Sequence, residues 1–394
     1  MSDNDAKLDE FLMARGGPFY DLQKQLCLLR ENAFHAGSRA LLFIGLAWGI
    51  PLILSIIEGN AYGPAEENPY LLSLAVWARF FIAVGLFILM ERKVEQQLSS
   101  HLRQFARAPL LAPDAFEPAA GAVTKALKWR DARSAEIVCL IIAALISFAT
   151  MTRFEGLEQS SWAVNVHPDG NVLSMAGWWC VIISNPVFWF LLLRWLWRLF
   201  LWARLLRDLA GLELRLVATH PDGNGGLAFI GEYPNAYSTF IFAVGCVLGA
   251  GIANGLMDGS ITATTYGYTM AVWLVIVLLL FAYPLLAFRK PLGELKKQTT
   301  LACSAQATRQ HRAAERELLG KNISAAGDAE PDKASEIPDP SKTFAASQKL
   351  SGLVFSRHGL LPVSVAAVLP LIAAGATTLP LKDIIKVAKR LLLL

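Results

Sequence analysis

Charge is scarce in this chain: Asp, Glu, Lys and Arg make up 17% of its 394 residues, against 54% apolar residues. That balance excludes a string of soluble domains, and the mean hydropathy of +0.42 agrees. The formal net charge is only +4, and basic connectors between apolar runs account for it, so nothing argues for a nucleic-acid partner. Cysteine is sparse too. Cys27, Cys139, Cys180, Cys246 and Cys303 have no paired spacing and three of them fall in apolar runs, which excludes a disulfide framework or a zinc site. There is no G-x-S-x-G, H-E-x-x-H or Walker loop, and no metal or cofactor is implied. The apolar runs hold almost no Asp or Glu, which counts against the usual proton-coupled transporter. No apolar run precedes Ala40 and the start MSDNDAKLDE is acidic, so no cleavable secretory signal is expected.

What the chain does have is apolar runs of about bilayer length, roughly 20 residues each. Six are read as spans: 40–57, 71–90, 135–151, 176–209, 237–255 and 270–288. Their connectors alternate in charge. The loop after the first span has no Lys or Arg, whereas 91–134 carries eight basic residues. Basic connectors stay on the cytoplasmic side, so the N-terminus is expected there as well. Around the Pro-Asp-Gly at 168–170 the pattern alternates as a small hairpin would. Gly245 and Gly249, then Gly251 and Gly255, are each four apart, so the fifth span can approach a neighbour closely; a homo-oligomer through this span is one use of that face.

The C-terminal region is in conflict with the charge rule. A seventh span at 361–379 would carry Lys382, Lys386, Lys389 and Arg390 to the outer side, whereas a re-entrant segment would return them. Nineteen residues suffice to cross, and we take the seventh span with an outer interfacial helix. The expected fold is therefore an all-α polytopic transmembrane helical bundle of six to seven spans with cytoplasmic helical segments. Its parts are 1–39, a cytoplasmic segment with an amphipathic helix carrying Leu22, Leu26 and Leu29; 40–290, a six-helix membrane domain with cytoplasmic loops 91–134 and 204–236; 291–358, a cytoplasmic helix plus disordered linker; and 361–394, the last hydrophobic segment and an amphipathic helix.

Five stretches carry a resemblance: GGPFYDLQ from Gly16, WARFFIAVGLFILMER from Trp77, AGWW at Ala176, LLLRWLWRLFLWAR from Leu191 and THPDGNGGLAFIG from Thr219. Together the chain resembles a family of uncharacterised bacterial polytopic membrane proteins with a THPD..GGL pattern after an Arg/Trp-rich helix. The resemblance implies a bacterial inner-membrane protein and carries over no catalytic residue.

Three places can carry chemistry. Arg79 is the lone charge near the middle of the second span. It costs roughly 2.5–3.5 kcal/mol on insertion scales and so should face protein or water. It reads either as an anion-attracting site or as a structural pair with Glu58. Arg194 and Arg198 lie four apart beside Trp195 and Trp202, and either hold a phosphate or lipid headgroup or simply mark the inner interface, as Trp195, Trp197 and Trp202 would. In the turn His220–Gly226, Gly225 and Gly226 let backbone amides approach an anion, and His220, Asp222 and Glu232 can hold a metal or relay a proton if they converge. Turn chemistry alone also explains these residue types. The leading reading is a non-enzymatic membrane protein that moves or senses a small anionic or lipid-like solute. The alternatives are a membrane enzyme with an inner-face site at His220, Asp222 and Glu232, and a scaffold recruiting cytoplasmic partners.

Overall fold

In a computed structural model of the chain, residues 16–25, 36–64, 68–155, 161–167, 170–325, 334 and 338–378 are described. Among them lie seven helices long and apolar enough to cross a membrane. A short helix α1 (Pro18–Gln25) comes first. It is followed by the spans α2 (Ala36–Ile57) and α3 (Leu74–Phe105), then α4 (Phe116–Arg130) outside the apolar belt. Spans α5 (Arg133–Glu155) and α6 (Met175–Ala210) flank an antiparallel hairpin of β1 (Val164–His167) and β2 (Gly170–Leu173), as the alternation predicts. Next come α7 (Ser238–Met257), α8 (Ala263–Leu285), α9 (Arg289–Leu319), α10 (Ser341–Lys349) and α11 (Arg357–Gly375). The protein is an all-α, multi-pass membrane protein. Leu26, Leu29 and the amphipathic tail after Pro380 lie outside the described residues.

Local chemistry sets the boundaries. Ser174 ends the hairpin and caps α6, its hydroxyl accepting from Gly177 N at 2.9 Å. Thr262 caps α8 in the same way. Gly320, at φ 73°, closes α9 in the left-handed region. Large apolar side chains of α5 (Ile137, Leu140, Ile141, Leu145, Phe148) stay exposed, as a face against lipid tails requires. The spans alternate in direction, so α4, α9 and α10 gather at one end, the charged end, and the β-hairpin lies at the other.

Helix α11 is long and apolar enough to cross a membrane. It is one helix of 19 residues despite Pro362 and Pro370, about 28 Å long at 1.5 Å per residue. It runs parallel to α7: Gly245 meets Ala367 and Pro370, and Gly249 meets Pro370 and Ala374. On its other side α8 donates twice to carbonyls around Pro370, from Trp273 Nε1 to Ala367 O at 3.2 Å and from Tyr266 Oη to Leu371 O at 3.0 Å. Side-chain donors of this kind make a proline tolerable inside a span. Gly245 and Gly249 thus serve contact with α11 and Gly255 meets Ile261, while Gly251 faces open space.

Candidate functional site

The geometry separates the sequence-derived candidates into three places. The first is a buried ion-pair centre at the charged end. Glu91 in α3 takes Arg39 Nη1 at 2.8 Å on Oε2, and on Oε1 has Arg194 Nη1 at 3.2 Å and Arg198 Nη1 at 3.6 Å. Arg194 Nε also reaches Glu136 Oε1 at 3.1 Å. The side chains of Arg194, Arg198 and Glu91 are 4%, 2% and 2% exposed, so these charges meet one another in place of water. Three guanidiniums face two carboxylates, with Glu95 buried one turn further along α3. Trp195 and Trp202 are buried as well, Trp195 Nε1 donating to Phe87 O at 2.9 Å. The expectation that both tryptophans mark the membrane interface is corrected: only Trp197 of the three stays partly exposed.

The N-terminal segment docks on this centre. Phe19 N donates to Glu136 Oε2 at 2.6 Å, and the Arg194 guanidinium lies 4.9 Å over the Phe19 ring. A side chain at Gly17, whose φ is +90°, would begin 2.8 Å from Glu136 Oε1, so the GGPF stretch fits only as glycine there. Sequence reasoning passed over Arg39, Glu91 and Glu136 because each stands at the end of an apolar run, where charge is ordinary.

The second place is Arg79. It does not pair with Glu58, which instead accepts from Met175 N at 2.8 Å. Arg79 Nη1 donates to Asn185 Oδ1 at 3.3 Å and its guanidinium lies 5.6 Å from the Phe188 ring centroid. Among the described residues no carboxylate pairs with it, and its buried Nε has no hydrogen-bond partner. The buried Ser184 hydroxyl, next to Asn185 in the chain, lacks one too. Around Arg79 three spans widen into π-helical turns, at Gly45–Gly49, Trp77–Ala83 and Cys180–Ser184. Such turns are rare, and they recur at functional sites because they open the backbone ladder. The carbonyls of the Gly45–Gly49 turn draw side-chain donors: Trp179 Nε1 binds Leu46 O at 3.0 Å and Tyr70 Oη binds Trp48 O at 2.8 Å. Asn185 supplies the only side-chain oxygen bonded to Arg79 among the described residues.

No protein-family model, curated protein or solved structure matches the chain.

The third place is the turn His220–Gly226, where the backbone amides do converge on an anion. That anion is the chain's own Asp222. Its Oδ1 accepts from Asn224 N at 2.9 Å and Gly226 N at 3.1 Å, and its Oδ2 from Ala228 N at 3.1 Å. His220 Nδ1 stands 2.7 Å from Asp222 Oδ1. Gly225 and Gly226 have φ of +67° and +100°, values that suit glycine and aim the amides inward. The loop then docks on the segment before α11, with Asn224 Nδ2 donating to Leu353 O at 3.0 Å and Ser351 N to Gly223 O at 2.9 Å. Glu232 is exposed, and the described residues contain no group of three His, Cys, Asp or Glu that could hold a metal ion.

Burial would raise the Asp222 carboxyl, but the amides of Asn224, Ala228 and Gly226, with His220, outweigh it and hold the group below its ordinary 3.8. A folded-state value below the unfolded one adds stability above the unfolded value, and that stability is lost as pH falls through the depressed one. Asp222→Ala removes the acceptor of these amides, and with solvent screening should cost about 1 kcal/mol near neutral pH. It should also flatten the loss of stability below about pH 4, read by thermal melts across an acid series. An unchanged acid limb would remove Asp222 from this role.

Proposed function

We propose that this multi-pass membrane protein binds a small anion at Arg79 within its membrane domain, for transport or sensing, and performs no catalysis. One observation carries the reading: Arg79 is a half-buried cation within a span, its buried Nε has no partner, and the groups it meets are an amide oxygen and an aromatic face. A charge taken out of water demands a counter-charge. Arg39, Arg194 and Arg198 have theirs in Glu91 and Glu136, and Arg79 has none among the described residues. The widened turns on three neighbouring helices supply the backbone adaptability that ligand entry needs. By the charge bias of the connectors, the charged end faces the cytoplasm, and the motif resemblance favours a bacterial inner membrane. The enzyme alternative gains nothing from the turn, since the Asp222 oxygens already accept from backbone amides. Association of copies through α7 is a subsidiary proposal, confined to the open face at Gly251.

The test is melting of the purified protein in matched ionic strength, with nitrate, chloride or phosphate replacing a bulky organic anion. A ligand at a hundred times its Kd stabilises by about 3 kcal/mol, so wild type should melt several degrees higher with the preferred anion. Arg79→Gln should lose that dependence yet be at least as stable as wild type without small anions, because it removes an uncompensated charge. If Arg79→Gln keeps the same anion response, the site lies elsewhere. Flux of the preferred anion into proteoliposomes then separates transport from sensing.

A further inference from the structure

Helices α4, α5 and α6 enclose a cleft of about 740 Å³ at the charged end of the bundle. Its walls change character along their length. Towards the membrane they are apolar, with Val138 and Ile142 from α5 facing Leu193, Leu196 and Phe200 from α6. At the rim stand Lys128, the last-turn cation of α4, and Ser134 in the first turn of α5, both exposed. The first-turn amides of a helix have no carbonyl partner within it and favour an anion, and here a lysine and a hydroxyl share that end. Trp197 also lines the cleft, and its buried indole N–H has no acceptor among the described residues. Its ring stacks on Trp129 at 6.2 Å, and Trp129 carries the Arg204 guanidinium at 4.1 Å on its face. Aromatic rings beside cations of this kind sit at the headgroup level of a bilayer.

An apolar channel that opens onto cationic donors has the profile of an amphiphile with a negative head. We propose that this cleft holds one anionic phospholipid from the surrounding bilayer. Its acyl chain lies between α5 and α6. Its phosphate meets Lys128, the Ser134 hydroxyl and the first two amides of α5, that of Ala135 being taken by Ala132 O, and the Trp197 N–H serves a glycerol-ester oxygen. The bilayer is the natural source, because the apolar half of the cleft opens on the lipid-facing side of α5, where Val138 and Ile142 are exposed. The site is distinct from Arg79 and stands whether or not an anion binds there. It also touches the ion-pair centre from behind: Cys139 and Leu193 line the cleft, three residues beyond Glu136 and one before Arg194. An occupant would thus press on the two helices that the Glu136–Arg194 pair holds together.

Native mass spectrometry of the full chain released from bilayer discs of equal phosphatidylcholine and phosphatidylglycerol tests this. Phosphatidylglycerol should be retained in clear excess. Lys128→Ala should lower its retention roughly fivefold, the factor expected for one interfacial cation. Leu196→Trp, which fills the apolar half, should lower retention of both lipids. Equal retention of the two lipids by wild type would overturn the proposal. So would displacement of phosphatidylglycerol by glycerol phosphate alone, since the acyl chain would then contribute nothing. Lys297→Ala, at a basic interfacial position on α9, is the control. If it lowers retention as much as Lys128→Ala does, the attraction belongs to the whole basic surface and the cleft has no special part.

Discussion

Glu91→Ala should cost the folded protein roughly 3–5 kcal/mol, the range for removing one partner from a buried ion pair. The reason is arithmetic of charge. Glu91 pairs with three guanidiniums drawn from α2 and α6, and Arg194 also meets a second carboxylate, that of Glu136. Without Glu91, three buried guanidiniums lose the carboxylate they share. Glu91→Gln keeps the volume and an acceptor oxygen but not the charge, and should also be strongly destabilising. The exposed pair Arg130–Asp131 offers a contrast at 2.7 Å with Asp131 46% exposed. Asp131→Asn should change stability by less than about 1 kcal/mol, since water screens it. Thermal unfolding in detergent reads all three variants. Should Glu91→Gln melt within a degree or two of wild type, the centre would be no brace for the spans.

Gly359→Ala is the second large effect expected, and its cause is steric. A Cβ at Gly359 would fall 2.1 Å from Gly231 O and 3.0 Å from Glu232 Cα, both backbone atoms. No side chain can swing aside, so α11 must move off the helical turn Ala228–Tyr237 that leads into α7. Overpacking of this kind costs about 1–3 kcal/mol, and the rigid neighbour puts Gly359 at the upper end. The displacement would also open the seam at Gly245 and Gly249. Gly251→Ala on α7 is the internal control: nothing lies within 4 Å of its Cβ, and alanine favours a helix over glycine by about 0.5–1 kcal/mol. One substitution should lower the melting temperature while the other leaves it level or raises it. Equal effects would mean that α7 and α11 do not pack as described.

The spans were legible because lipid imposes a one-dimensional signature, a run of apolar residues as long as the bilayer is thick. The hairpin at 164–173 was legible from alternation and turn chemistry. Arg79 was visible too, as a lone cation in such a run, but its partner was not. Glu58 looked apt from its place at the end of the preceding span, yet the first amides of α6 compete for it, and Met175 N takes it. The ion-pair centre was hidden for a different reason. Glu91 and Glu136 each border basic residues at a span's end, and in sequence this matches headgroup-facing charge. Only the meeting of four spans with the Gly16–Phe19 segment buries them. At His220 the residue types announce a turn and leave open whether its amides meet a ligand. That Asp222 would be the anion they bind follows from the loop's closure, which residue types alone do not dictate.

The path from Ala263 to Leu319 spans 57 residues of nearly uninterrupted helix, half in the membrane domain and half beyond it. Its outer part, α9, has 31 residues and reaches about 46 Å at 1.5 Å per residue. Such a rod magnifies angle into distance: a tilt of about 10° at its root would sweep its tip by about 8 Å. Lys296 Nζ, donating to Gln348 O at 2.9 Å and Leu350 O at 3.1 Å, ties that lever to the segment leading into α11. Small reorientations among the spans would therefore be felt far from the lipid, where the exposed Leu318 and Ile323 stand near its end.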